Sequence, residues 1–188
     1  FISQNAPGTI SRAGAKIAEA LHHLQLHRPA PPAGSHWLEL GASPGGMTSE
    51  LLKRGYRVTA VDRAPLDSRL DQSPGLKAIV ADVASFRPAA GLAYDAILSD
   101  MNGDAMESID HVIRLVPFLT KTGIVVFTLK LPGVSGFTEA NDLQAAIANR
   151  AEAAGLRISC KTHLTYNRRE FTLFLERADS PSATPNGL

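Results

Sequence analysis

The stretch HWLELGASPGGMTSELLKRGYRVTAVD, His36 to Asp62, contains a strand–turn–helix–strand unit. Trp37 to Leu40 is a mainly apolar run, the loop Gly41-Ala-Ser-Pro-Gly-Gly46 interrupts it, and a helical pattern continues to Lys53 and Arg54. A second run, rich in β-branched residues, ends on Asp62. This order is half of a nucleotide-binding α/β unit. Gly41, Gly45 and Gly46 let the backbone approach a ligand where a Cβ would collide. The helix after the loop offers free N–H groups, and Asp62 at the strand tip can accept both hydroxyls of a ribose.

What the loop lacks narrows the nucleotide. A P-loop ends in Gly-Lys-Ser/Thr, and here no lysine follows Gly46 until Lys53. A dinucleotide loop needs Gly-x-Gly-x-x-Gly, whereas the spacing here is Gly41-x-x-x-Gly45-Gly46. Without a phosphate grip, the loop suits a nucleoside with an uncharged or cationic tail, such as S-adenosylmethionine. Glu39 is placed to help hold the ammonium of that tail. A plain strand-to-helix turn needing glycine for packing competes with this reading until Glu39 and Asp62 are counted.

Outward from this unit the chain keeps alternating. Upstream, Ser11 starts a helical pattern with Ile17, Ala20, Leu21 and Leu24 on one face, and Pro29 to Pro32 ends it. Ser11 is the expected N-cap. Downstream come strands at Lys77–Val80, Tyr94–Leu98 and Gly123–Leu129, with helices at Met106–Leu119 and Thr138–Ala154. Leu156–Lys161 and Phe171–Glu176 are expected to close the sheet as an antiparallel pair. The fold class is therefore α/β and Rossmann-like, a mostly parallel seven-stranded sheet with helices on both faces. One domain over residues 1–178 is expected, with a loop at Phe1–Gly8 and a disordered tail over 179–188 rich in Ser, Pro and Asn.

Composition bounds the function classes. The chain has 188 residues, 44% of them hydrophobic, enough for one full core. A net charge of +1 gives no global attraction to nucleic acid, so any such surface is local. The single cysteine, Cys160, excludes a disulfide framework or a cysteine-cluster metal site and fits a cytoplasmic protein. No run of about 18 apolar residues is present, so no membrane partner is expected. Because the sequence begins at Phe1, the chain is expected to be part of a longer protein.

Ligands of such sheets sit at the carboxyl ends of the strands. Those ends carry Gly41, Asp62, Asp82, Asp100 and Lys130. A lysine at a strand end can take a proton from a hydroxyl as it attacks a methyl group, and Asp100, with Lys16 as a second cation, would orient it. A snorkelling Lys130 and a turn-capping Asp100 are the plainer alternatives for each residue alone. Base-amine methylation would want Asn/Asp-Pro-Pro-aromatic after the fourth strand, where Ser99-Asp100-Met101-Asn102 stands. Pyrimidine carbon methylation would want a cysteine nucleophile, but Cys160 reads as a buried small hydrophobe in an edge strand far from this rim. Oxygen is the acceptor this pattern favours.

These residues resemble the FtsJ-like family of RNA ribose 2′-O-methyltransferases, within it most the branch acting on large-subunit ribosomal RNA. The resemblance runs from about Ser11 to Arg177. The family's Lys-Asp-Lys-Glu tetrad is matched by Lys16 in Ser11-Arg12-Ala-Gly-Ala-Lys16, Asp100 in Ser99-Asp100-Met101, Lys130 in Leu129-Lys130-Leu131-Pro132, and Glu170 in Asn167-Arg-Arg-Glu170. Its cofactor loop is matched by Leu40 to Gly46, with Met47 where the family has Trp. The resemblance implies a class I S-adenosylmethionine-dependent fold. Lys130 would be the general base, Asp100 and Lys16 would position it, and Glu170 would hold the lysine or the target ribose. Ser11, Gly41, Ser43, Pro44, Gly45, Gly46, Met47 and Asp100 would line the cofactor, Asp62 would bind its ribose and Asp82 its adenine.

For RNA contact the candidates are Arg12, Arg28, Lys161, Arg168 and Arg169, with Tyr166 for stacking. His22, His23 and His27 have helical spacing, but no cysteine or carboxylate stands at ligand spacing in the sequence, so they read as a solvated helix face and no metal is expected. A monomer is expected. A methyltransferase for a non-RNA acceptor, or a non-catalytic cofactor- or RNA-binding module, are the competing functions.

Overall fold

The computed structural model describes residues 10–131, 136–165 and 170–179. Seven strands form one sheet: β1 (His36–Leu40), β2 (Arg57–Asp62), β3 (Leu76–Val80), β4 (Tyr94–Ser99), β5 (Leu119–Lys130), β6 (Leu156–Thr162) and β7 (Glu170–Arg177). Among the described residues four α-helices accompany it: α1 (Ala13–Gln25), α2 (Gly46–Lys53), α3 (Ala105–Leu115) and α4 (Phe137–Ala153). The strand order is β3-β2-β1-β4-β5-β7-β6. The first five strands pair in parallel, and β7 lies antiparallel between β5 and β6. The chain builds outward from β1 to β3 and then returns to β4, so the connections diverge between β1 and β4 and leave a crevice at their carboxyl ends.

Period-two alternation sorts the strands onto two cores. In β1, Leu38 and Leu40 face α3 and α4, packing with Ile97, Ile109, Val112 and Phe127. Trp37 faces α1 and α2, packing with Ile17, Leu21, Leu24, Leu51 and Phe174. All of these side chains are essentially inaccessible to water, and each such burial stabilises the fold by about 1.5–3 kcal/mol. No helix among the described residues is long and apolar enough to cross a membrane.

Three local expectations are corrected. Arg12 rather than Ser11 occupies the α1 N-cap, and the Ser11 hydroxyl accepts from the Ala13 amide at 3.3 Å instead. The helix expected to reach Leu119 stops at Leu115. Pro117 sits in the short 3-10 turn that follows, and β5 begins directly after it; proline cannot continue the hydrogen-bond ladder of a helix. Cys160 does lie on edge strand β6, but it is only half-buried. Ile158 pairs with Leu175 and Cys160 with the adjacent Phe174, so a β-bulge falls at Ser159. The bulge leaves Ile158 on the α3/α4 side and turns Cys160 to the α1 side. The expected loop at 1–8 and the tail beyond Asp179 lie outside the described residues.

Candidate active site

Four elements deliver the four tetrad residues to one place. Asp100 directly follows β4, Lys130 ends β5, Glu170 opens β7, and Lys16 stands on the second turn of α1. The antiparallel register sets Lys130 directly opposite Glu170. Lys130 Nζ lies 2.9 Å from Asp100 Oδ1 and 3.6 Å from Glu170 Oε2. It also donates to Asn102 Oδ1 at 3.2 Å. The Lys16 ammonium donates to the other Glu170 oxygen, Oε1. Glu170 is thus a two-sided acceptor between two lysines, itself nearly buried. Asp100 Oδ1 is buried and has an ion-pair partner but no well-directed hydrogen bond.

A cavity of about 460 Å³ opens beside this cluster. Gly41, Ser43, Asp62, Asp82, Asp100 and Lys130 all line it. Asp62 is held by the loop it faces: Oδ2 accepts from the Ser43 amide and Oδ1 from the Ala64 amide, both at 2.9 Å. Asp82 accepts from the Ala84 amide at 2.9 Å and pairs with Arg63 at 2.7 Å. Those contacts, the amide first, hold its carboxyl below the usual range.

Five expected cofactor residues are not in the cavity wall. Ser11 packs on Gly46, where an added Cβ would sit 2.0 Å from its hydroxyl. Gly14 of α1 in turn lies against the Gly46 carbonyl, 2.9 Å from a built Cβ. Gly45 has φ +105° and touches Leu70, and Met47 is buried in the α1/α2 core. Pro44 follows a cis peptide bond and is exposed. Gly46 allows the close approach of α1 and α2, and Gly45 leaves room for Leu70 and Leu66. Glu39 is also off the wall. It is fully buried and accepts from the Thr48 hydroxyl at 2.7 Å, and burial pushes its carboxyl up to about 8.

Of the cations proposed for RNA, Arg12 is exposed at the start of α1. Arg28 is committed elsewhere. It pairs with Glu176 at 2.8 Å and donates to the Thr122 carbonyl at 3.0 Å, at the opposite end of β5 from Lys130. Lys161 donates to Gln144 of α4 at 3.0 Å. Arg168, Arg169, Tyr166 and Pro132 lie outside the described residues. Sequence reading missed Asn102, Arg63 and the α3 pair Glu107 and His111, which also line the wall. Asn102 was signalled only by standing two residues after Asp100.

His22 and His27 are exposed, as expected of a solvated helix face, whereas His23 is half-buried against Cys160. His23 Nε2 lies 3.3 Å from Cys160 Sγ, and the His23 and His27 rings are 5.2 Å apart. Burial, then His27, holds the His23 imidazole below its usual range, and burial pushes the Cys160 thiol up.

The description of the FtsJ-like methyltransferase family matches residues 9–132. The chain is 31% identical over 183 residues to Ribosomal RNA large subunit methyltransferase M of Halorhodospira halophila, covering 94% of this chain and 49% of that protein. It is 33% identical over 181 residues to the protein of that name from Laribacter hongkongensis, covering 93% and 49%. The chain thus spans about half the length of these curated relatives. Among solved structures, it is similar to Aeropyrum pernix fibrillarin in complex with natively bound S-adenosyl-L-methionine. The TM-score there is 0.66 at 19% identity, over 85% of this chain and 74% of that one, and it bears on the fold alone. With that fold and a family match over most of its length, the chain belongs to the FtsJ-like methyltransferase family.

Proposed function

We propose that residues 1–178 form an S-adenosylmethionine-dependent domain that methylates a ribose 2′-oxygen in RNA, with large-subunit ribosomal RNA as the substrate class. The observation that carries this reading is the meeting of Lys16, Asp100, Lys130 and Glu170 at the rim of a cavity whose other wall holds Asp62 and Asp82. The cavity suits the cofactor by its chemistry. Two carboxylates that line it fit ribose hydroxyls and an adenine amine, and a third lining carboxylate, Asp100, adds the negative charge that a cationic tail favours.

Bound there, S-adenosylmethionine supplies a methyl group on a positively charged sulfur. Lys130 would take the proton of the 2′-hydroxyl as that oxygen becomes the nucleophile. With the methyl group transferred, the proton would rest on Lys130 Nζ. Asp100 and Glu170 then face the new ammonium at the distances observed, a preorganised response to developing charge. Lys16 fixes Glu170 from the other side and acts as a positioning residue. Asp62 would hold the cofactor ribose and Asp82 the adenine; Gly41 and Ser43 would lie beneath them. Ser11, Pro44, Gly45, Gly46 and Met47 would set the shape of the loop. Arg12 is proposed as an RNA contact, and the same reading has the chain act in the cytoplasm as a monomer.

The test is transfer of labelled methyl to large-subunit ribosomal RNA that lacks native modification, followed by nucleoside analysis. Label in a 2′-O-methyl nucleoside is the expected result. Label on a base would overturn the assignment of the acceptor.

A further inference from the structure

The His23, His27 and Cys160 cluster lies outside the proposed methyl-transfer site and has a use of its own. His23 and His27 stand four residues apart where α1 ends, with Leu26 as its C-cap, so both rings emerge on one side of the helix. Cys160 arrives from the sheet. The bulge at Ser159 turns its side chain toward α1, where a regular strand would have left it beside Ile158 on the other face. The His23 ring stacks on Phe174, the direct β7 partner of Cys160, with centroids 6.1 Å apart. That stacking orients the imidazole toward the thiol. One donor atom from each of the three residues lies within 4.8 Å of the others.

We propose that His23, His27 and Cys160 form a three-ligand site for a borderline-soft divalent cation of the zinc class, clipping the end of α1 to edge strand β6. Tetrahedral zinc, with bonds of about 2.0–2.1 Å to nitrogen and 2.3 Å to sulfur, places donors roughly 3.3–3.7 Å apart. The His23–Cys160 separation of 3.3 Å is within a few tenths of an ångström of that spacing. His27 is exposed on the turn after α1, so its ring can close the remaining gap by rotation without disturbing the core. Two imidazoles and one thiolate are the donor set that favours zinc over magnesium or calcium. Glu19, one turn earlier on the same helix row, adds a negative charge nearby. Its carboxylate is occupied by the Thr165 amide and hydroxyl, at 2.8–3.1 Å, and so stands behind the ligands rather than among them. Because α1 also carries Lys16, the clip would hold the helix that braces Glu170.

Cobalt(II) and zinc(II) titrations of the chelator-treated chain test the site. One equivalent of cobalt should bind with a thiolate-to-metal charge-transfer band, zinc should displace it, and zinc should raise the thermal midpoint. Cys160→Ser should abolish the band. His27→Ala, a change at an exposed position, should weaken metal binding at least about tenfold while leaving the metal-free midpoint unchanged. His22→Ala, an exposed neighbour outside the cluster, should bind as wild type. No stoichiometric cobalt binding, a band that survives Cys160→Ser, or equal losses in His22→Ala and His27→Ala would each overturn the proposal.

Discussion

Lys130 and Glu170 face each other across the β5–β7 ladder, and the Glu170 carboxylate divides itself between Lys130 and Lys16. Each lysine therefore depends on an acid that the other also holds. Glu170→Gln should lower kcat roughly 10- to 100-fold while leaving cofactor affinity near wild type, because Glu170 does not line the cavity. Adding Lys16→Ala to that variant should cost little more, since both changes break one arrangement. Kinetics and calorimetric cofactor binding on the four proteins of this cycle would show it. Additive losses would mean that Lys16 acts independently.

Asp62 should govern cofactor affinity. Its two oxygens are fixed by the Ser43 and Ala64 amides and still face the cavity. Asp62→Ala should weaken S-adenosylmethionine binding by about 10- to 100-fold, the range for losing hydrogen bonds to a charged group. Calorimetric titration measures it, and an unchanged Kd would remove Asp62 from the site.

Gly46 should be indispensable for packing. A Cβ there collides with Ser11, so Gly46→Ala should destabilise the chain by about 1–3 kcal/mol. Ser11→Gly should return part of that loss when combined with it, because the clash then has no hydroxyl to meet. Urea midpoints of the single and double variants read the coupling.

Glu39 should make stability fall with rising pH. Burial raises its carboxyl from 4.5 to about 8, so the folded chain keeps a proton that the unfolded chain releases. Its stabilising contribution is fully present below pH 4.5 and is lost as pH rises to about 8. Across that window, wild type should lose up to about 1.4 kcal/mol per pH unit relative to Glu39→Gln. Urea unfolding of both proteins at several pH values tests this. Parallel stability profiles would contradict it.

The sheet was legible because its strands are short apolar runs ended by polar residues, and Asp62, Asp82, Asp100 and Lys130 each follow such a run. Lys16 and Glu170 were not legible by that rule. They stand 154 positions apart, and only their match to a family tetrad placed them together. The packing of Gly46 was not legible, since a sequence does not show that α1 returns to lie on it. Arg28 was misread because its partner Glu176 is 148 residues away. The His23–Cys160 contact was invisible for a similar reason, compounded by a bulge that reverses the face a regular strand would give Cys160.

The most direct test of the central claim is methyl transfer by Lys130→Ala, compared with wild type at saturating S-adenosylmethionine on unmodified large-subunit ribosomal RNA. If Lys130 is the base, transfer to the 2′-oxygen should fall at least about 100-fold while cofactor binding stays within a few-fold of wild type. A variant that methylates the same 2′-oxygen at an undiminished rate would contradict the mechanism.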